Sequence, residues 1–210
     1  MKGILIPIDL ISFLFVPPGL RGEDVVRLTA QIGMTSSEQT SPLVRAAIAG
    51  DLDCVRALVD DGADVNQPDE YGWLAIHRAA ANNRPTVIRY LVSEGSHIEA
   101  RGTDQWTPLH LACVSGSSRS VAALVRAGAD VNSVARRDNT PMHLATVAIA
   151  GANYPDLHSE SIRRVRRTVQ VLLGAGANPL LTDVRGRTPA DLARAGGAEE
   201  LARLMEAASP

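Results

Sequence analysis

Aromatic residues make up only 3% of this 210-residue chain, and lysine occurs once, as Lys2. So few rings exclude a surface that binds single strands by stacking bases on aromatic side chains. Nor does either charge dominate, because the formal net charge is -2. A nearly neutral chain has no global field to draw in nucleic acid or an anionic membrane. Cysteine is also scarce: Cys54 and Cys113 form no C-x-x-C pair and have no histidine at ligand spacing. That pattern gives neither a disulfide framework nor a zinc signature. Both cysteines fall inside apolar helical patterns (DCVRALV and LHLACVSG), where small buried side chains are expected.

Long hydrophobic runs are missing as well. The apolar N-terminal stretch is interrupted by Pro7 and Asp9 and is too short to cross a bilayer. Residues 1–36 are therefore expected to be a leader or a poorly ordered segment, with Met34 as an alternative start. The chain is expected in the cytoplasm, with export by the N-terminal segment as the alternative. Catalytic signatures are absent too: no G-x-S-x-G, no P-loop, no dinucleotide glycine fingerprint and no H-E-x-x-H. Acidic pairs such as Asp60-Asp61 and Glu199-Glu200 read as solvated charges at helix ends. No enzyme is expected, and no cofactor or metal.

What the chain does have is a repeat. Pro42, Ala75, Pro108 and Pro141 follow one another at steps of 33 residues, and Gly62, Gly95 and Gly128 repeat the same step. The next step is 48 residues for both markers, Pro141 to Pro189 and Gly128 to Gly176, so one unit carries 15 extra residues. Each unit has the same physical grammar. Ser-Pro, Leu-Ala or Thr-Pro opens a first helix, with Thr as cap acceptor and Pro where no donor is needed. An Ala-rich run follows, then a short turn, then a second helix with Val and Leu at i, i+3, i+4 (VRALV, VIRYLV, VAALV, VQVLL). A glycine suited to a left-handed C-cap closes it.

These residues closely resemble the ankyrin-repeat family. TPLHLAC at 107–113 and GADVN at 62–66 and 128–132 carry the resemblance, which covers residues 37–208. It implies an all-α solenoid of stacked helix-turn-helix units joined by β-hairpin loops. The units are expected at 37–68, 69–101, 102–134, 135–182 with the insertion, and 183–208 as a terminal cap. Unit two departs with LAIH and GSHIE, unit four with GANPL, and unit five with TPADLA.

His77, His110 and His143 fall one repeat apart. Repeats stack ~10 Å apart, whereas zinc needs each ligand at about 2 Å, so a metal ladder is excluded. The resemblance implies a structural role instead, tying the Thr-Pro turn to the next repeat.

The residues before the helix starts are Trp73, Trp106, Asn139 and Arg187, and the two tryptophans are the only ones in the chain. The resemblance places this position on hairpin fingers, which with the exposed first helices form the family's partner-binding face. Two readings stand: the indoles pack between fingers, or they anchor a partner, as Trp commonly does at interfaces. The finger positions run from Glu70, Tyr71 and Trp73 through Thr103, Asp104 and Trp106 to Arg136, Arg137 and Asn139, then Val184, Arg185 and Arg187. Residues 41–70 hold seven acids against two arginines, and residues 136–187 eight arginines against four acids. A face graded from acidic to basic is expected to steer an oppositely patterned protein. The expected contacts are Tyr71, Trp73, Asp104, Trp106, Arg136, Arg137, Arg185 and Arg187, with Ala81, Asn82, Val114 and Ser115 as weaker ones.

The insertion lies between the two helices of unit four. Asn153-Tyr154-Pro155-Asp156 reads as loop, and Ser159 or Ser161 is expected to cap a second helix starting near Ile162. That helix would expose Arg163, Arg164, Arg166 and Arg167, as a solvated face, as a second contact for an acidic partner or, least favoured because the chain has no reading element and no net positive charge, as a contact for a few nucleic-acid phosphates. The function expected is a non-catalytic module, monomeric, that binds another protein through its concave face, with neither nucleic acid nor membrane as partner. A regulator or inhibitor of an enzyme is the alternative.

Overall fold

The computed structural model describes residues 41–69, 71–150 and 158–208. Among the described residues, ten α-helices fall in five consecutive pairs: α1 (Pro42–Ala49) and α2 (Leu52–Asp60); α3 (Ala75–Ala81) and α4 (Pro85–Ser93); α5 (Pro108–Val114) and α6 (Ser118–Arg126); α7 (Pro141–Ala150) and α8 (His158–Gly174); α9 (Pro189–Ala195) and α10 (Glu199–Ala207). The first helices touch in the series α1, α3, α5, α7, α9, and the second helices form a parallel outer row. No strand is present among the described residues, so the fold is all-α.

Each first helix starts where the repeat pattern places it. Thr107 accepts at Oγ1 from His110 N (3.5 Å), and Pro108 occupies the first turn. Thr188 caps α9 through Asp191 N at 3.2 Å in the same way. Leu74 has no oxygen for this task, so α3 is held from the other side, by His77 Nδ1 accepting Leu74 N at 3.2 Å. The glycines after α2, α4, α6 and α8 sit at φ 92°, 83°, 93° and 85°, backbone that a side chain with Cβ occupies at a cost.

One continuous core runs between the rows, built from small residues of the first helices (Ala47, Ala79, Ala112, Ala145) and larger ones of the second (Val55, Leu91, Leu124, Leu172). The small side chains let the helices approach closely, and burial of the larger ones supplies most of the stabilisation, at about 25 cal/mol per Å² of apolar surface. Cys113 is buried in this core, and burial pushes its thiol well above the usual range. Cys54 corrects the expectation: it is exposed, because it lies off the Val55, Leu58 and Val59 stripe that turns inward.

The insertion departs from expectation in one respect. Helix α8 begins at His158, a turn earlier than Ile162, so positions 159 and 161 lie within the helix and do not cap it. Residues 1–36, Glu70 and the loop from Asn153 to Asp156 lie outside the described residues.

Candidate partner-binding surface

Between α2 and α3, α4 and α5, α6 and α7, and α8 and α9, the chain turns back on itself in a short finger. Each finger is closed by one backbone bond across its base: Asp69 N to Trp73 O (2.9 Å), Gly102 N to Trp106 O (3.0 Å), Ala135 N to Asn139 O (2.9 Å) and Asp183 N to Arg187 O (2.9 Å). In chain order these are fingers two to five, after the units they open.

Fingers two and five are latched by an aspartate. Asp69 Oδ1 accepts from Tyr71 N (2.9 Å) and Trp73 N (2.8 Å) while Oδ2 takes the Arg78 guanidinium at 2.8 and 3.1 Å. Asp183 does the same for Arg185 N, Arg187 N and the Arg187 guanidinium. Burial alone raises the Asp183 carboxyl, but the Arg187 and Arg185 bonds outweigh it and hold the group below the usual carboxylate range. Each latched finger carries a left-handed glycine, Gly72 (φ 77°) or Gly186 (φ 73°).

Fingers three and four have Gly102 and Ala135 where the aspartates would be. They are short 3₁₀ turns with two consecutive non-glycine residues in the left-handed region: Asp104 (φ 56°) and Gln105 (φ 62°), then Arg137 (φ 65°) and Asp138 (φ 56°). Such residues cost roughly 1 kcal/mol each. Support comes from neighbours: Arg101 Nη1 donates to both Gln105 O and Val134 O, Thr103 Oγ1 to Tyr71 O, and Arg136 pairs with Asp104 at 3.0 Å.

The tryptophans explain why the aspartate is missing. Trp73 and Trp106 are each only 5% exposed and share a second apolar cluster with Leu111, Val114, Ala135 and Leu144, flanked by Tyr71 and Ala81. The Trp73 indole meets the His77 ring edge-on at 5.1 Å. It also lies over Gly102, where an added Cβ would come within 2.4 Å of the ring. The Trp73 ring thus leaves no room for a side chain at Gly102, the base of the next finger, while Ala135, at the base of finger four, shares the tryptophans' apolar cluster, and Asp183 follows Asn139. As placed, both indoles lie between the fingers and do not protrude from them. Of the two readings, packing between fingers describes the placement of both rings, which leaves little of either indole open to a partner.

The remaining expected contacts are distributed along the ridge. Tyr71 and Asp104 are half-buried, and Arg136, Arg137, Arg185 and Arg187 are exposed. The acidic-to-basic gradient is less open than the sequence implies, because Arg136 is paired with Asp104 and Arg187 with Asp183. Of the weaker candidates, Asn82 is exposed and Ala81 and Ser115 are partly so, but Val114 is buried under the indoles. Sequence reasoning missed Arg101 and Thr103 as the groups joining neighbouring fingers.

Beneath the ridge the three histidines do structural work. His110 Nδ1 receives Thr107 N (3.3 Å) and Thr107 Oγ1 (2.8 Å), so the proton sits on Nε2, which donates to Asn139 O at 3.2 Å. His143 repeats this with Thr140 and Arg187 O, and His77 Nε2 reaches Ala100 O and Trp106 O. Each ring therefore ties its own helix start to the base of the following finger. Burial lowers the pKa of His77 and His110 to about 4 and also lowers that of His143, so all three are neutral at pH 7. Asn66 and Asn132 add a second set of ties, each accepting a backbone N–H and donating to a glycine carbonyl one repeat on. Glu99 takes the same place and accepts Asp130 N at 2.9 Å. In unit five, Asp191 replaces the histidine: it accepts from Thr188 N and Thr188 Oγ1 and pairs with Arg194 of the same helix at 3.7 Å.

Helix pairs, fingers and inter-repeat histidines are the parts of one known architecture, and comparison of the chain with family models agrees. A model described as "Ankyrin repeats (3 copies)" matches residues 13–102, and one described as "Ankyrin repeat" matches residues 104–136. Together they cover more than half of the chain. It belongs to the ankyrin-repeat family. The first match begins within the stretch 1–36, ahead of the first described helix. Among curated proteins, this ankyrin-repeat chain is similar to protein phosphatase 1 regulatory subunit 27 of Homo sapiens and of Mus musculus, 42% identical to each over 45 residues. The aligned stretch is 21% of this chain and 29% of each relative.

Among the described residues, no helix is long and apolar enough to cross a membrane, and no three histidine, cysteine or acidic side chains converge as a metal site.

Proposed function

We propose that this ankyrin-repeat protein is a non-catalytic module that binds a partner protein along the ridge of its fingers. The observation that carries the reading is the ridge itself. Neighbouring fingers are bonded to one another, founded on buried indoles and histidines, and tipped with exposed arginines and the half-buried Tyr71 and Asp104. Such a surface loses little freedom on binding, which favours affinity. The contact set is Tyr71, Asp104, Arg136, Arg137, Arg185 and Arg187, with Trp73 and Trp106 supporting it from below. The function lies in binding; no reacting group is assigned.

The test is affinity capture with mass spectrometry, comparing wild type with Tyr71→Ser/Arg136→Gln/Arg185→Gln at matched melting temperature. The reading expects a specific partner lost from the triple variant and kept by Arg163→Gln/Arg166→Gln/Arg167→Gln on α8. The reverse pattern would move the binding surface to the insertion helix. A second reading, that the partner is an enzyme this module regulates, is favoured by the stretch shared with a phosphatase regulatory subunit. A change in the captured enzyme's turnover on adding the purified chain would support it.

A further inference from the structure

We propose that fingers four and five seat an extended acidic segment of the partner, with Arg137 and Arg185 each taking one of two carboxylates three residues apart. The inference rests on the ridge reading above and names the chemistry it would recognise.

The four arginines of these two fingers are not equivalent. Arg136 is paired with Asp104 at 3.0 Å and Arg187 with Asp183 at 2.7 Å, so their charges are already met within the stack. Arg137 and Arg185 are exposed and have no ion pair among the described residues. Asp138 is exposed beside Arg137 but pairs with neither. The two unpaired cations occupy the same position in adjacent fingers, four residues before Pro141 and Pro189. Their fingers are joined by Val184 N donating to Arg137 O at 3.2 Å.

Adjacent repeats lie ~10 Å apart. A polyproline-II segment has three residues per turn and rises ~3.1 Å per residue, so side chains at i and i+3 share a face about 9 Å apart. Acids at that spacing match the two guanidiniums, each of which can form a bidentate pair with a carboxylate. Between them, Val184 is 59% exposed and offers apolar contact to the intervening residues. Finger four holds Arg137 in the left-handed region (φ 65°) without a glycine. That strain is kept where the side chain is presented.

The probe is a fluorescein-labelled peptide of repeated Glu-Pro-Pro, read by fluorescence anisotropy against the full chain. Controls are Gln-Pro-Pro repeats and a peptide of the same composition with its glutamates adjacent. The expected result is binding by the spaced peptide at least about tenfold tighter than by either control, weakening as salt rises. Arg137→Gln/Arg185→Gln should lose about tenfold, and the Lys versions of both should recover part of it. The double variant changes two exposed tips, and an unchanged melting temperature shows that it folds. No binding by any peptide, equal binding of all three, or full binding by the double variant overturns the proposal. If the peptides fail while the protein partner is still lost from the ridge triple variant, the acidic segment is wrong and the ridge stands. If that triple variant keeps the partner, the ridge reading falls as well.

Discussion

Fingers two and five differ from fingers three and four in how they are held, and the cause lies one repeat away. The first pair use a buried aspartate and one glycine each. In the second pair the base lies among the indoles, Gly102 under the Trp73 ring and Ala135 in the apolar cluster of the two tryptophans. The turn then takes two non-glycine residues in left-handed backbone. An apolar roof has replaced a polar latch. The exchange offsets lost hydrogen bonds with buried aromatic area, and it carries strain into the fingers that present Asp104 and Arg137.

The largest expected effect sets the histidine ties against the aspartate latch. His77 and His110 have folded pKa values near 4, against the 6.5 of an unperturbed imidazole in the unfolded chain. Between those values the unfolded chain binds more protons, so stability is complete above about pH 6.5 and falls as the pH drops toward 4. Each group contributes on the order of 3 kcal/mol by the end of that window. Urea titrations across pH 4–7 check this, and a flat profile would show that the rings are not buried neutral. Within the window, amide exchange should rise at Gly102 and Ala135, whose fingers have no carboxylate latch, before it rises at Asp183.

Next comes the roof. Gly102→Ala drives a Cβ against the Trp73 ring and should cost about 2 kcal/mol, and Trp73→Ala alone about 3 kcal/mol. In the Trp73→Ala background, Gly102→Asp should cost little, because the new carboxylate is free to latch Asp104 N and Trp106 N. A double-mutant cycle by chemical denaturation measures this coupling. Additive losses would mean that the ring does not exclude the latch.

The latch itself follows. Asp69→Ala leaves Tyr71 N and Trp73 N without their acceptor and Arg78 without its carboxylate, at a cost of about 2 kcal/mol in melting experiments. The same change at finger three's base has no counterpart, since Gly102 never carried the bond. Smallest is relief of backbone strain. Gln105→Gly should stabilise by a few tenths of a kcal/mol, the left-handed cost less the added chain entropy. Tyr71→Gly, at a position with ordinary backbone, should not.

Much of this fold was legible from the chain alone. Helix starts and terminating glycines follow from local rules of capping and from a step that repeats, while the structural role of His110 was implied by the resemblance to the ankyrin-repeat family. The orientation of the indoles did not follow, because their position in the repeat is compatible with a ring turned outward or folded over the next unit. Yet a signal was present: Gly102 and Ala135 follow the two tryptophans, and Asp183 follows Asn139. Pairing across fingers was hidden for a related reason. Asp104 and Arg136 are 32 residues apart, and counting charges along the chain treats both as open when each meets the other. Cys54 shows the limit of an apolar pattern near a helix start, where one residue's offset decides the face.

The two indoles lie beneath the ridge, each 5% exposed. Trp73 and Trp106 are the only tryptophans, so the native fluorescence reports on them alone. The most direct test is iodide quenching of that fluorescence, in buffer and in denaturing urea. Buried rings predict blue-shifted native emission that iodide barely quenches, becoming red-shifted and readily quenched on unfolding. Native emission quenched as readily as that of the unfolded chain would contradict this, and would return the two rings to the partner-facing surface.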